Sequence, residues 1–144
     1  MTRQTIPCLS VRQPWADLIV TGIKDVENRT WPTDLRGKLL IHAPKTVDWA
    51  AVTQLHHWLP ASELKTWLGR QTPDEYQPTI AALLGITEVV DCVTHHPSRF
   101  FSGPFGFVLQ HSRPFAQPIP YRGRLGIFPV PTELLDLPAE DLQF

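Results

Sequence analysis

The sequence predicts an α+β domain in which about six short, mostly antiparallel strands form a strongly bent sheet or small β-barrel flanked by helices. Three observations lead there. Apolar, β-branched runs recur at short spacing, punctuated by many of the chain's 15 prolines and 8 glycines. Segments with helical period fall only between the early strands. The second half offers no crossover helices, which argues against a doubly wound parallel sheet.

The elements follow in chain order. Ile6–Val11 reads as a first strand. Pro14 suits the first position of a helix, where its missing N–H costs nothing. Trp15, Leu18 and Ile19 then form one apolar stripe and Gly22 supplies a stop, so Pro14–Thr21 is expected to pack on the sheet. Val26–Thr30 alternates as a strand and Pro32 breaks it. Gly37–Ala43 is the clearest early core strand. Thr46 or Asp48 can cap a helix over Trp49–Trp58, which Pro60 closes, and Ser62 is the expected cap of a further helix to Leu68. Gln71–Pro78, with two prolines, reads as a loop. Thr79–Val93 is long, β-branched and apolar, and Gly85 in its middle suits a bulge or a barrel bend. Gly106–Gln110 and Leu125–Val130 are the last strands, with Arg113–Pro120 read as a proline-rich loop between them.

At 144 residues, 42% hydrophobic and 19% charged, the chain is expected to form one domain over residues 1–144. No apolar run approaches the roughly 20 residues of a membrane-spanning helix, and the first residues lack the layout of a signal peptide. A cytoplasmic monomer is the expectation. Cys8 and Cys92 sit in apolar surroundings and read as free buried thiols. Neither has a partner at metal-ligand spacing, so no metal and no cofactor is expected.

The net charge of −1 conceals strong segregation. Residues 1–45 carry a balance of +3, residues 46–97 of −4, residues 98–128 of +4, and the tail from Pro129 of −4. If the two basic segments share a face, a near-neutral protein still presents a patch of the kind nucleic acid selects. Otherwise the charges scatter over a solvated surface.

Alternation along Val26–Thr30 puts Glu27 and Arg29 on one face with Trp31 after them, and Lys24 lies in the turn just before. An acid flanked by two bases beside an indole can hold an anion or a planar heterocycle, with Arg29 as a forked donor and Trp31 as a stacking surface. A desolvated Lys24 could also serve as base or nucleophile. The competing structural explanation is a Glu27–Arg29 or Lys24–Glu27 ion pair on a wet face, worth little. Arg122-Gly123-Arg124 sets exposed backbone between two forked cations, either a phosphate contact or simply a tight turn. Among the six histidines, His42 at the end of a core strand is the one expected to border a pocket. His56 and His57 diverge by about 100° on a helix and cannot share an ion. No glycine-rich phosphate loop is present.

Three sets of residues together resemble a known family. Ser10-Val11-Arg12-Gln13-Pro14-Trp15-Ala16, Gly22-Ile23-Lys24-Asp25-Val26-Glu27-Asn28-Arg29, and Arg36-Gly37 with Ile41-His42-Ala43 are similar to the start of an ASCH (activating-signal-cointegrator homology) domain. Gly103-Pro104-Phe105-Gly106-Phe107-Val108-Leu109, Pro118-Ile119 and Gly123-Arg124-Leu125-Gly126-Ile127-Phe128 agree with its end, so the resemblance runs from Ile6 to Val130. It implies a PUA-like fold whose cleft beside the barrel, near the Gly-x-Lys-x-x-Glu-Asn-Arg segment, binds nucleic acid, usually RNA. Residue by residue it points to Lys24, Glu27 and Arg29, with Gln13 and Trp15 at the helix start. Trp15 already has a packing role in the helical stripe.

Some relatives implied by the resemblance are hydrolases. One branch removes an acyl group from modified cytidine with a lysine, a threonine three residues later and a distant glutamate. This chain keeps Lys24 but has Glu27 in the threonine's place, and Glu88 is a candidate for the distant acid. Another branch resembles metal-dependent ribonucleases. The leading expectation is a module that binds RNA, with DNA as an alternative. Lys24, Arg29, Arg36, Arg122 and Arg124 would lie on phosphates, Trp31 on a base, and Gln13, Trp15 and His42 in the same interface. The alternative is a hydrolase acting on RNA or a modified nucleoside, with Lys24 and Glu27 as nucleophile and acid–base pair. A protein-interaction module resting on the Arg113–Pro120 segment is the remaining possibility.

Overall fold

The computed structural model describes residues 4–135, so the acidic Asp136, Glu140 and Asp141 of the tail lie outside the described residues. Among those described, six strands form one sheet: β1 (Thr5–Ser10), β2 (Val26–Arg29), β3 (Gly37–Ala43), β4 (Ala82–Val93), β5 (Phe105–Pro120) and β6 (Ile127–Pro131). Their spatial order is β2-β5-β4-β3-β1-β6. β1 and β3 run parallel and every other neighbouring pair is antiparallel. Three helices accompany them: α1 (Trp15–Val20), α2 (Trp49–Thr53) and α3 (Ala61–Leu68). No helix among the described residues is long and apolar enough to cross a membrane.

The α+β class with six mostly antiparallel strands is as expected, but closure into a barrel is not. Closure would need β2 and β6 to pair, and they stand at opposite ends of the strand order. The sheet is bent all the same. The β4–β5 ladder shifts register between Leu83 and Gly85, between Ile86 and Glu88, and between Val89 and Asp91. Each extra residue sharpens the local twist. Gly85 also lets α1 approach the bend, because a Cβ there would lie 2.3 Å from the Arg113 carbonyl oxygen and 2.8 Å from Val20.

Arg113–Pro120, expected as a loop, is the second half of β5 and pairs with β4 at Gly85↔Pro114, Leu83↔Ile119 and Ala82↔Pro120. The prolines are tolerated because β2 covers only Phe105–Val108 of the other edge. Among the described residues, no ladder on that side beyond Val108 needs their missing N–H groups.

The helical expectations need smaller corrections. Asp48 caps α2 by accepting from the Ala51 N–H at 3.0 Å. The helix stops at Thr53 and continues as a 3-10 turn over Leu55–His57. Ser62 is not a cap: it lies inside α3, which starts behind Pro60 without a side-chain cap bond. The Gln71–Pro78 loop holds a short 3-10 turn and is tied to α1, since the Tyr76 hydroxyl donates to Asp17. Burial, with the charge and hydrogen bond of Asp17, pushes the Tyr76 phenol up.

Both sheet faces are covered. On one, Ala16, Ile19 and Val20 of α1 meet Leu39, Ile41, Leu84 and Phe107. On the other, the bent sheet wraps Cys8, Leu40, Ile86, Phe115, Phe128 and Val130. A third cluster, Leu18, Leu55, Leu59 and Phe100, ties α1 to the turns beneath it. Cys8 is a free, fully buried thiol, and Cys92 is free and partly buried.

Candidate functional site

The short edge strand β2 carries the first constellation. The turn leaving α1 is fixed by the Lys24 N–H donating to the Leu18 carbonyl at 2.9 Å, which drives the Lys24 side chain inward. Its Nζ donates to Oε1 of Glu27 at 2.7 Å and to the Val26 carbonyl. The other carboxylate oxygen, Oε2, accepts from Nε of Arg29 at 3.1 Å and lies 2.9 Å from its Nη2. Arg29 Nη2 also donates to the Ser10 carbonyl at 2.7 Å. Both ion pairs foreseen from spacing therefore exist, as one three-residue network.

That network is buried rather than wet. Lys24 is 3% exposed and Glu27 7%. Burial alone pushes the Glu27 carboxyl up. The charges and hydrogen bonds of Lys24 and Arg29 together outweigh it and hold the group below the usual carboxylate range. Two cations against one acid leave the floor with a net positive charge.

Aromatic walls rise around this floor. Trp15 meets Trp58 edge to face at 4.8 Å and donates its indole N–H to Asp48 at 3.2 Å. Lys24 Nζ stands 5.8 Å from the Trp15 ring centre. Trp31 packs edge-on against Phe107 at 5.4 Å. The opposite wall is the segment 98–104, held to β2 by one side chain. Asn28 donates Nδ2–H to the Phe100 carbonyl at 2.8 Å, and its Oδ1 accepts from the N–H groups of Ser102 and Gly103 at 2.8 and 3.0 Å. Arg99 anchors the same segment to α3 through a forked pair with Glu63 at 2.7 and 2.9 Å. The enclosed cleft measures about 680 Å³, and Lys24, Glu27, Arg29, Trp15, Trp31 and Phe101 are among its lining residues. That falls within the roughly 300–1,000 Å³ of ordinary ligand pockets.

A second cleft of about 1070 Å³ adjoins the first, and Ser10 and Arg12 line both. Its cations are Arg12, Lys45, Arg122 and Arg124, and no carboxylate among the described residues lines it. His42 lies beneath, 1% exposed. Its Nε2 lies 2.7 Å from the Tyr121 carbonyl oxygen, which can only accept, so the proton is on Nε2. Nδ1 then accepts from the Ser10 hydroxyl at 2.9 Å. Burial pushes the His42 imidazolium down, against the smaller opposing effect of Tyr121. Gly123 presses onto this pair: a Cβ there would lie 2.6 Å from both Ser10 Oγ and the His42 ring. The close approach holds the Arg122–Arg124 turn against the ends of β1 and β3.

The expected site residues divide accordingly. Lys24, Glu27, Arg29, Trp15 and Trp31 line the first cleft, and His42, Arg122 and Arg124 the second. Gln13 lines neither. It is fully buried, donating to the Thr79 carbonyl at 3.0 Å and accepting from the Asp17 N–H at 2.9 Å. Arg36 also lies outside both clefts and pairs with Asp91 at 3.6 Å. Glu88 is bonded to His111 at 2.7 Å and does not line the first cleft. His56 and His57 sit on the 3-10 turn with their rings 4.3 Å apart, edge to face.

Sequence reasoning gave no site role to Arg12 and Asn28, though both lie in the family motifs, nor to Lys45, Trp58 or Phe100-Phe101. Two adjacent aromatics in a loop next to Gly103-Pro104 were the available signal for that last pair. Nothing local marks Lys45, and it and Arg12 become neighbours of Arg122 and Arg124 only through strand pairing.

A family model described as the ASCH domain matches residues 9–110. Activating signal cointegrator 1 of Homo sapiens is 28% identical over 139 residues, covering 88% of this chain and 22% of that protein. The Mus musculus protein of the same name is 34% identical over 91 residues, covering 60% of this chain and 14% of its own length. The chain thus spans about a fifth or less of these curated relatives. Among solved structures, the crystal structure of ASCH from Zymomonas mobilis matches with a TM-score of 0.55 over 90% of both chains at 15% identity, a likeness of fold.

Proposed function

The chain belongs to the ASCH domain family, and from that premise we propose that it binds nucleic acid, RNA in the first place and DNA as the alternative, in the cleft over Lys24, Glu27 and Arg29. The observation that carries this reading is an aromatic-walled cleft whose buried floor pairs two cations with one carboxylate. Rings offer stacking area to any base, and the surplus positive charge attracts the phosphodiester chain. Arg29, held at its Nε and Nη2 by Glu27 and Ser10, is a pre-oriented donor rather than a wandering surface cation.

The hydrolytic alternative for the same residues draws no support from this geometry. Lys24 donates to Glu27 and Val26, and both oxygens of Glu27 are engaged. A nucleophilic amine would have to break that network first.

Fluorescence anisotropy of a labelled single-stranded RNA tests the reading, comparing the unaltered protein with Arg29→Ala and Trp31→Leu. The second variant keeps an apolar side chain against Phe107 while removing the indole. Stacking on an aromatic side chain contributes about 1–3 kcal/mol per base, so Trp31→Leu should weaken binding by about 5- to 150-fold. Arg29→Ala should abolish it at moderate salt. Equal affinity of all three proteins would place the strand elsewhere or nowhere.

A further inference from the structure

The second cleft has a chemistry of its own. Among the described residues, Arg12, Lys45, Arg122 and Arg124 are exposed and none forms an ion pair. Four cations thus line one concavity without a carboxylate to neutralise them. Mutual repulsion of that kind opposes folding slightly and is relieved by a polyanion. The arrangement is built rather than accidental. β1 pairs with β3 and β6 on its two sides, and His42 and Gly123 pin the intervening turn. Residues separated by more than a hundred positions thereby meet.

The two clefts also differ in kind. The first has rings and a hydrogen-bonding floor, suited to a base. The second sets four cations, three of them forked, around Tyr121 and Gly123, suited to phosphate. They touch at Ser10 and Arg12. Lys24 and Glu27 on the floor of the first are buried, and a base still stacked in a duplex offers only an edge, not a face, to the rings around them.

We infer that the two clefts form one continuous site for a single nucleic-acid strand, with an unpaired base in the aromatic cleft and the adjoining phosphates in the Arg12–Lys45–Arg122–Arg124 cleft. This rests on the reading of the first cleft given above and extends it. The ligand is a strand of at least two nucleotides, not a free nucleoside, and Arg12 sits where the strand crosses from one cleft to the other. The second cleft contributes affinity and salt dependence without base preference.

The test measures dissociation constants for a single-stranded RNA of about ten nucleotides, the same sequence as a blunt duplex, and a free nucleoside, across about 50 to 200 mM salt. The proteins compared are the unaltered chain, Arg29→Ala, and the double variant Arg122→Ala with Arg124→Ala. Both residues of the double variant are exposed, so it should fold. Its affinity for the single strand should fall about tenfold or more. Its slope of log affinity against log salt should shrink by about 1.4, two contacts at about 0.7 each. The duplex and the nucleoside should bind the unaltered protein far more weakly than the strand does.

An unchanged slope in the double variant, with binding still lost in Arg29→Ala, overturns the two-cleft site and leaves the first-cleft reading standing. Equal binding of duplex and single strand overturns the unpaired base. Failure of the unaltered protein to bind any strand at low salt overturns both readings together. A single-stranded DNA of the same sequence reports whether the 2′-hydroxyl is read.

Discussion

Glu27 is the side chain on which the first cleft depends. It neutralises part of two cations that burial would otherwise leave exposed to each other. Replacing one member of a buried pair leaves an uncompensated charge, at a cost of about 3–5 kcal/mol, so Glu27→Gln should lower the melting temperature sharply. Because its folded carboxyl titrates below the usual range, its contribution is present above about pH 4–5. It is lost as the pH falls through the folded value. Melting curves from neutral pH downward should therefore fall more steeply for the unaltered chain than for Glu27→Gln. His42 acts in a higher window. Its folded imidazolium is disfavoured, so stability is full above about pH 6.5 and declines as the unfolded chain takes up protons below it. His42→Gln should flatten that part of the curve. Lys24, Glu27 and Arg29 were legible from spacing alone because their partners are local. The buried bonding of Gln13 was not legible, because its partner, the Thr79 carbonyl, lies 66 residues away and no local pattern announces it.

At the scale of elements, the wall formed by 98–104 is held to β2 by one amide. Asn28→Ala removes a donor to Phe100 and an acceptor for two backbone N–H groups. The expected cost is about 1 kcal/mol, since Phe100 is buried while Ser102 is exposed to water. Hydrogen exchange should register it as faster exchange at Ser102 and Gly103, with little change in β3. Gly85→Ala acts on the core instead. The added methyl meets the Arg113 carbonyl oxygen and Val20, so α1 must move off the sheet, and calorimetry should show about 1–3 kcal/mol lost. Most strands were readable because β-branched runs between prolines and glycines have few other uses. The second half of β5 was not, since a proline-rich segment looks the same in a loop as on a half-covered edge. Only the register of β2 against Phe105–Val108 distinguishes the two.

For the molecule as a whole, a net charge of −1 says little about its surface. The alternation of basic and acidic stretches left open whether the two basic stretches share a region. Folding settles this by setting the turn at Arg122–Arg124 beside the exit of β1, so that Arg12 and Lys45 join it. Six open strands in place of a closed barrel lay beyond sequence reasoning, because closure depends on how far bulges bend a ladder. The shared position of Ser10 has a further effect on how the two clefts work. Its carbonyl accepts from Arg29 at 2.7 Å and its hydroxyl donates to His42 at 2.9 Å. One residue is thereby bonded to a lining side chain of each cleft. Such a link is thermodynamically reciprocal: whatever one occupant does to the affinity of the second, the second does to the first. In a cycle built from Arg29→Ala and Arg124→Ala, the losses in strand affinity should fail to add. Ser10→Ala, which keeps the carbonyl and deletes the hydroxyl, should bring them closer to additivity, turning a cooperative grip into two independent ones.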